Sequence, residues 1–262
     1  MMLVADNLQI TQPVIEEAVR KMAPEPIQDM VRKCEAAGAE AIDINSGHLS
    51  RDPERKMSFL VQAVQDVSDL PIFIDTANPA ALEAGLRANR KTAVINGFSP
   101  EPAKLEGILP LAKKYDTDII GYLLHPDSHV PKDAPERLSV AIRLYEEIGN
   151  AGIDRERLII DPVVAPVLWP DGNFQNMEIL TVIRTLPDLL GFSPRTVAGL
   201  SNLTTGQASL EKKLLLEKTY LPMLASAGLS MVLMNIFHCE TVRTATACNA
   251  LTAEKIFAWE EI

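Results

Sequence analysis

The sequence predicts an α/β fold, a (β/α)8 TIM barrel, and three observations support this prediction. Eight short apolar runs of β type alternate with longer helical patterns along the 262 residues, which indicates βαβ units around a parallel sheet. Six of these runs end on Asp, Asn or Ser, where such a barrel places its functional side chains. The length is also close to that of a typical barrel. We therefore expect one domain over residues 1–262.

The eight apolar runs are the predicted strands. Their count favours a closed barrel over an open doubly wound sheet, which usually has fewer strands on one plane. The expected bounds are 2–5, 41–45, 71–75, 93–96, 118–124, 157–161, 196–200 and 230–235.

Helical patterns fill the intervals between the strands, and residues typical of helix starts support them. Pro79 and Pro100 stand at expected helix starts, where a missing N–H costs little. Asn78 and Ser99, each directly before one of these prolines, are predicted N-caps. The helical stretches are 14–22, 27–38, 53–67, 79–89, 101–115, 135–152, 176–186, 209–228 and 240–251.

Composition and short motifs exclude several classes of protein. A net charge of −10 argues against non-specific binding to nucleic acid or to an anionic membrane. Neither GxGxxG nor GxxxxGK[ST] is present, so dinucleotide and P-loop binding have no motif support. No apolar run approaches the roughly 20 residues of a membrane span. An odd count of three cysteines, without a secretory signal, predicts a cytoplasmic protein.

The strand-end side chains are the main indication of function. They comprise Asp43, Asn45, Asp75, Asn78, Asn96, Asp161, Ser201, Asn202 and Asn235. We expect them near one rim of the barrel, and the set contains neither Lys nor Arg. A buried carboxylate can accept two parallel N–H bonds from an amidine-like edge, as pterins and guanines offer. A flat ligand with several N–H donors is therefore favoured over a phosphate, although single members of the set could only cap helices.

The four histidines offer a second hypothesis, a metal site. His125 and His129 flank HPDSH after strand five, and with Asp127 they could bind zinc. The loop lacks a helical i,i+4 frame and a glutamate base as in HExxH, so we interpret both as loop histidines. The others are His48 and His238; His238 is expected to line the rim. No protein-bound metal is expected.

The three cysteines offer a third hypothesis, a nucleophile. Cys239 lies near the rim, whereas Cys34 and Cys248 fall at core-facing helix positions, and buried structural cysteine is the default interpretation. The charged stretch at 208–218 is interpreted as the solvated face of a helix with i,i+4 ion pairs.

Several segments resemble the pterin-binding methyltransferase family. They are DINSG at 43–47, FIDTAN at 73–78, ING at 95–97, DP at 161–162 and GLSN at 199–202. This family comprises the methyltetrahydrofolate:corrinoid-protein methyltransferases and the folate domain of cobalamin-dependent methionine synthase. Dihydropteroate synthase shares the fold more distantly. The similarity runs in the same order along nearly the whole chain, and it implies a barrel of the pterin-binding, dihydropteroate-synthase-like type.

The resemblance also implies which residues bind the pterin ring. Asp75, Asn96 and Asp161 would hold the ring through hydrogen bonds, and Asp43 and Asn45 would support them from beneath.

A second group is implied for the reacting end of the ligand. Asn202 would be the mobile amide that reaches N5 of the bound folate, and Ser201 would shape the turn that carries it. With Asp75 and Asp161, Asn202 would form the catalytic set. A tertiary amine leaves poorly unless it is protonated or strongly hydrogen-bonded, and an amide and carboxylate network can supply that stabilisation.

The resemblance implies transfer of a methyl group between N5 of (methyl)tetrahydrofolate and the cobalt of a separate corrinoid protein. Such a step would serve the acetyl-CoA pathway or O- and N-demethylation. We expect tetrahydrofolate or 5-methyltetrahydrofolate as substrate, and cobalamin or another corrinoid carried by a partner protein, because no part of the sequence corresponds to a corrinoid domain. Related enzymes are typically homodimers, so a homodimer is expected.

Two alternatives stay open. A dihydropteroate-synthase-like condensing enzyme releases pyrophosphate and should need Lys or Arg at late strand ends. Strands seven and eight end in GLSN and MNIFH, which contain neither. A non-catalytic folate-binding subunit would keep Asp75, Asn96 and Asp161 and could lose Asn202. Asn202 is present, which favours catalysis.

Overall fold

The computed structural model describes residues 1–47, 51–253 and 259, so His48 lies outside the described residues. In the described part the strands are β1 (Met2–Gln9), β2 (Ala41–Asn45), β3 (Ile72–Asp75), β4 (Ala93–Phe98), β5 (Asp118–Tyr122), β6 (Leu158–Asp161), β7 (Arg195–Gly199) and β8 (Met231–Met234). The helices are α1 (Pro13–Lys21), α2 (Glu25–Ala36), α3 (Pro53–Gln65), α4 (Pro79–Ala88), α5 (Pro102–Tyr115), α6 (Ala134–Asn150), α7 (Gly172–Leu190), α8 (Leu210–Ala227) and α9 (Cys239–Thr252).

The strands form a closed barrel in sequence order, and β1 pairs with β8 in parallel. The predicted (β/α)8 barrel is therefore confirmed. Each of the eight predicted strands is present, and most of their bounds agree within two residues. β1 differs most, since it runs on to Gln9 through an irregularity in its pairing with β2 between Ala5 and Leu8.

One layer of apolar side chains fills the barrel interior, and every strand contributes one member. These are Val4, Ala41, Phe73, Val94, Ile120, Ile159, Val197 and Met231. Because side chains alternate along a strand, the residues two positions later face the same interior. Those next residues are Asp6, Asp43, Asp75, Asn96, Tyr122, Asp161, Gly199 and Leu233. The apolar layer thus lies beneath a layer dominated by acids and amides, nearer the carboxyl ends of the strands.

The helix starts agree with the prediction at one site and differ at another. Asn78 Oδ1 accepts hydrogen bonds from the N–H groups of Ala80 (3.0 Å) and Ala81 (3.2 Å), so its N-cap role is confirmed. The predicted cap at Ser99 is wrong, and Pro100 does not begin a helix, because α5 starts at Pro102. Ser99 is instead fully buried, and its Oγ has no hydrogen-bond partner among the described residues.

The stretch 208–218 agrees only in part with the solvated helix face that its charges predict, since its first two charged residues are exposed. Glu217 is only 5% exposed, whereas Leu210 and Leu215 are 58% and 62% exposed. The described residues of this stretch form none of the expected i,i+4 ion pairs. Tertiary contacts explain why Glu217 is buried, because its carboxyl group hydrogen-bonds with Thr204 and His238. Across the described helices, none combines the length and the hydropathy that crossing a membrane requires.

Candidate functional site

The strand-end side chains of β2 to β6 are aligned by the register of the barrel. Asn45 pairs with Asp75 across β2 and β3, and Asp75 pairs with Asn96 across β3 and β4. Tyr122 pairs with Asp161 across β5 and β6. Between β4 and β5 the register shifts after Asn96, so pairing aligns the first three residues and the last two as separate groups, all at the carboxyl ends of the strands. We call Asn45, Asp75, Asn96, Tyr122 and Asp161 the interior row.

Hydrogen bonds fix the orientation of the side chains in and beneath the interior row. Asn45 Nδ2 donates to Asp75 Oδ2 at 2.6 Å, and Asn96 Nδ2 donates to Asp43 Oδ1 at 2.9 Å. The Tyr122 hydroxyl donates to Asn96 Oδ1 at 2.7 Å. Asn45 therefore fixes the Asp75 carboxyl group, and Asp43 fixes the Asn96 amide. Tyr122 was missed because strand five was expected to continue to residue 124, so the tyrosine did not count as a strand-end residue.

Burial gives two of these carboxyl groups raised pKa values. Burial raises the pKa of Asp75 to about 6, although the Lys104 charge opposes the shift. The pKa of Asp43 is raised well above its usual value by burial first and then by the charge of Asp75. Two neighbouring carboxyl groups cannot both ionise cheaply, so this side of the interior row can retain a proton near neutral pH.

Asp161 closes the other end of the interior row and keeps part of its surface open. Its Oδ1 accepts a hydrogen bond from the Val163 N–H at 2.7 Å. Burial raises the Asp161 pKa to about 7, and the Val163 bond and the charge of Arg137 both oppose this shift. The side chain can therefore exist as a carboxylate or as an acid at neutral pH, which suits a group that accepts bonds or exchanges a proton.

A buried arginine lies behind Asp161, at a position that no strand-end pattern in the sequence predicts. Arg137, in the first turns of α6, is fully buried, and its Nη1 donates to the carbonyls of Pro162 and Val163. Its Nη2 donates to Gln175 Oε1 at 3.3 Å. The strand ends do lack Lys and Arg, as predicted, but a cation reaches the site from a helix. No strand-end pattern could reveal a residue that precedes Asp161 by most of a βα unit.

A 3-10 turn at Leu200–Thr204 carries the other two predicted residues. Asn202 is exposed and folds back over Gly199, where a Cβ on the glycine would lie 3.0 Å from Asn202 Nδ2. The Ser201 hydroxyl donates to Asp6 Oδ2 at 2.9 Å. The absence of a side chain at Gly199 thus leaves room for the Asn202 amide beside the end of β7.

The turn borders a cavity of about 510 Å³ at the barrel mouth. Its lining includes the amides of Asn7, Asn202 and Asn235, and Asn7 Nδ2 donates to Asn235 Oδ1 at 2.7 Å. It also includes Glu217 and one cation, Lys213. We call this space the mouth cavity. Its polar lining comes from β1, β8, the 3-10 turn and α8, on the opposite side of the barrel from Asp75 and Asn96.

Two carboxyl groups belong to the mouth cavity. Glu217 Oε1 accepts a hydrogen bond from Thr204 Oγ1 at 2.8 Å, and His238 Nδ1 lies 3.2 Å from Glu217 Oε2. The pKa of Asp6 is raised by burial above all, and the Ser201 hydrogen bond opposes that shift. His238 lines the rim, as predicted. Glu217 was not predicted, because a single acid in a charged helix has no distinguishing sequence pattern.

Each of the two described histidines outside the mouth cavity lies near an acidic side chain. His129 is exposed and lies 3.1 Å from Asp127, while His125 lies 3.6 Å from Glu136. Across residues 1–47, 51–253 and 259, His, Cys, Asp and Glu side chains do not assemble into a group of three that could hold a metal ion. Cys34 and Cys248 are buried, as predicted, and Cys239 is exposed.

Comparisons with other sequences agree with this geometry. The model of a family described as pterin binding enzyme matches residues 14–247. A methylcorrinoid:tetrahydrofolate methyltransferase from Eubacterium limosum is 23% identical over 238 residues, covering 90% of this chain and 85% of that protein. A methionine synthase from Mycobacterium tuberculosis is 24% identical over 211 residues, covering 76% of this chain but 17% of that protein.

Solved structures with the same architecture include dihydropteroate synthases. The enzyme from Xanthomonas albilineans in complex with 7,8-dihydropteroate superposes with a TM-score of 0.69 at 18% identity, covering 97% of this chain and 94% of that one. The Yersinia pestis enzyme in a sulfonamide drug complex gives a TM-score of 0.71 at 16% identity, with 97% and 94% coverage. At these identities the likeness shows the fold alone.

Proposed function

We propose, from the premise that this chain belongs to the pterin-binding enzyme family, that it transfers a methyl group between N5 of tetrahydrofolate and a corrinoid carried by another protein. The observation that carries the proposal is the joint placement of two features at one end of the barrel. The interior row offers acid and amide groups for a flat ring, and the 3-10 turn presents the Asn202 amide beside β7.

The interior row is suited to the polar edges of a pterin. Asp75, Asn96 and Asp161 face the barrel interior from three strands, and Asp43 and Asn45 orient the first two through hydrogen bonds. The carboxylates would accept N–H bonds from the amino and ring nitrogens, and the Asn96 amide would complete the set. Because these hydrogen bonds fix the side chains from within the barrel, little reorganisation is needed when a ring binds.

The chemistry of N5 explains the remaining residues. When the methyl group leaves N5, the bonding electron pair stays on nitrogen, which then takes up a proton. The Asn202 amide would hydrogen-bond N5 as that charge changes, and Asp75 and Asp161 have raised pKa values that let them hold a proton near neutral pH. The partner's corrinoid supplies the cobalt that donates or accepts the methyl group. This chain supplies position and electrostatics.

The Eubacterium limosum relative, named a methylcorrinoid:tetrahydrofolate methyltransferase, supports this reaction over a condensation that releases pyrophosphate. The mouth cavity supports the same choice, because Asp6 and Glu217 place carboxyl groups there against a single lysine, Lys213. Such a lining would repel a pyrophosphate group. Service in the acetyl-CoA pathway or in demethylation, and a cytoplasmic location, belong to the same proposal.

Calorimetric titration with 5-methyltetrahydrofolate tests the pterin site. We expect saturable binding to the wild-type protein, and a loss of about 1.5–3 kcal/mol in Asp161→Ala, since one charge-assisted hydrogen bond is removed. Asp188→Ala, which truncates an exposed aspartate of α7, is the matched control and should bind like the wild type. Absence of binding to the wild-type protein would contradict the proposed function.

A further inference from the structure

The turn that follows β6 has an unusual backbone. Val163 has a φ of +62°, in the left-handed region that β-branched residues rarely occupy. Its N–H donates to Asp161 Oδ1 at 2.7 Å, so this conformation aims a donor at the carboxyl group of the interior row. A residue in such a conformation persists only when its surroundings hold it there.

Arg137 provides that hold. Its Nη1 donates to the carbonyl oxygens of Pro162 and Val163, the second at 3.2 Å, and thereby bridges the two peptide units that flank Val163. Gln175 Oε1, on α7, accepts from Nη2 and fixes the guanidinium from the other side. The guanidinium is fully buried, and its Nε has no hydrogen-bond partner among the described residues. Within the described part of the chain no carboxylate bonds to this guanidinium, and a buried charge without such a partner costs stability.

We propose that Arg137 is a positioning residue for Asp161: it locks the turn at Pro162–Val163, and its charge stabilises the carboxylate form of Asp161. This inference rests on the proposed function only in that Asp161 is taken to bind the pterin. The link between the two residues can be tested without any ligand.

The charges of Arg137 and Asp161 each favour the ionised form of the other. The Arg137 charge lowers the Asp161 pKa, against the stronger effect of burial. Burial lowers the Arg137 pKa to about 10, so the guanidinium stays charged at neutral pH. Tyr122 faces Asp161 from β5, and the groups that face Arg137 from α8, α7 and the start of α6 are Tyr220, Glu178 and Asp133. Arg137 is therefore the cation that acts on Asp161.

NMR titration of ¹³C-labelled aspartate carboxyl groups in the ligand-free protein tests the proposal, with the Asp161 resonance assigned through Asp161→Asn. In the wild type we expect a midpoint at about 7. In Arg137→Met the midpoint should rise by about one pH unit or more, because an opposite charge is removed. Arg137→Lys, which retains the charge, should return the midpoint towards the wild-type value. Arg137→Gln serves as the neutral variant if Arg137→Met does not fold.

The matched control is Arg143→Met, the same change on the same helix at a side chain that is 45% exposed. It should leave the Asp161 midpoint unchanged. An unmoved midpoint in the neutral variants of Arg137, or an equal shift in Arg137→Lys, would overturn the proposal.

Titration of 5-methyltetrahydrofolate into the same variants tests whether the effect of Arg137 on Asp161 also governs folate binding. The affinity of Arg137→Met should fall at pH 7 by about fivefold or more and recover as the pH is raised, since Asp161 then ionises again. An equal loss at every pH would show a merely structural role and contradict the proposal. If the wild-type protein binds no folate, the proposed function fails, whereas the NMR midpoints still decide the Arg137 inference.

Discussion

At the scale of single residues, several buried ionisable groups lie in or next to the interior row. Asp43, Asp75 and Asp161 all have pKa values raised chiefly by burial, and Arg137 is buried behind Asp161. Elsewhere a core of this size would gain stability from apolar side chains at such positions. The arrangement is therefore better explained by ligand binding than by folding, and it predicts a cost in stability that can be measured.

Asp161→Asn should stabilise the ligand-free protein at alkaline pH. The folded-state pKa of about 7 lies above the ordinary value of 3.8, so between these values the folded protein holds a proton that the unfolded chain has lost. Stability from this group therefore falls as the pH rises through that window. Asparagine removes the charge and keeps an oxygen for the Val163 N–H, so the gain should be largest above pH 7.

Urea denaturation at pH 5 and at pH 8 measures this effect. The gain at pH 8 should reach a few kcal/mol at most, since one pKa unit is worth about 1.4 kcal/mol, and it should shrink at pH 5. The control Asp188→Asn changes an exposed aspartate and should show no such pH dependence. Equal stability of Asp161→Asn and the wild type at pH 8 would show that Asp161 carries no burial cost.

At the scale of elements, the 3-10 turn is held at both ends. Ser201 donates to Asp6 of β1, and Thr204 donates to Glu217 of α8, which also contacts His238 after β8. Asn202 lies between these two bonds and remains exposed. The turn is thus anchored to its surroundings while the amide at its centre stays exposed.

Replacing Glu217 by Leu should loosen the turn with little effect on the interior row. Thr204 then loses its acceptor, so we expect faster hydrogen exchange over residues 201–205 and slower methyl transfer, with folate affinity changed less than twofold. Glu211→Leu, an exposed position in the first turn of the same helix, is the control. Unchanged exchange rates in Glu217→Leu would show that the Thr204 bond does not hold the turn.

The features that the sequence did not predict are contacts between different helices, strands and turns. The strands and the acids at their ends were predictable, because periodicity and position within a βα unit are local properties of the sequence. The contacts of Arg137 with residues 162–163 and of Glu217 with Thr204 join different elements. The predictions of a cap at Ser99 and of a solvated helix face around Leu215 failed for the same reason. Tertiary contacts override the local preferences for capping and for a charged helix face.

At the scale of the whole molecule, one face carries exposed apolar side chains. Leu215 and Leu216 of α8 are 62% and 42% exposed, and Phe174 and Met177 of α7 are 54% and 51% exposed. A cavity of about 240 Å³ lies between these helices. Clusters of this kind on a protein surface often mark an interface, so this face is where we expect the predicted homodimer to form.

Sedimentation analysis of Leu215→Glu tests the dimer, which stays a prediction. We expect the wild type to sediment as a dimer and the variant to shift towards monomer, because a charge would be buried at an apolar interface. Leu251→Glu, at a leucine of α9 that is 84% exposed, should leave the dimer intact. If the wild-type protein sediments as a monomer at micromolar concentration, the predicted homodimer is wrong.

The central claim, methyl transfer at N5, is tested most directly by incubating the protein with tetrahydrofolate and free methylcobalamin and measuring 5-methyltetrahydrofolate formed. We expect product with the wild type, and Asn202→Ala should retain folate affinity within a few-fold while its rate falls by at least about tenfold. Saturable folate binding without any product from the wild-type protein would contradict the account.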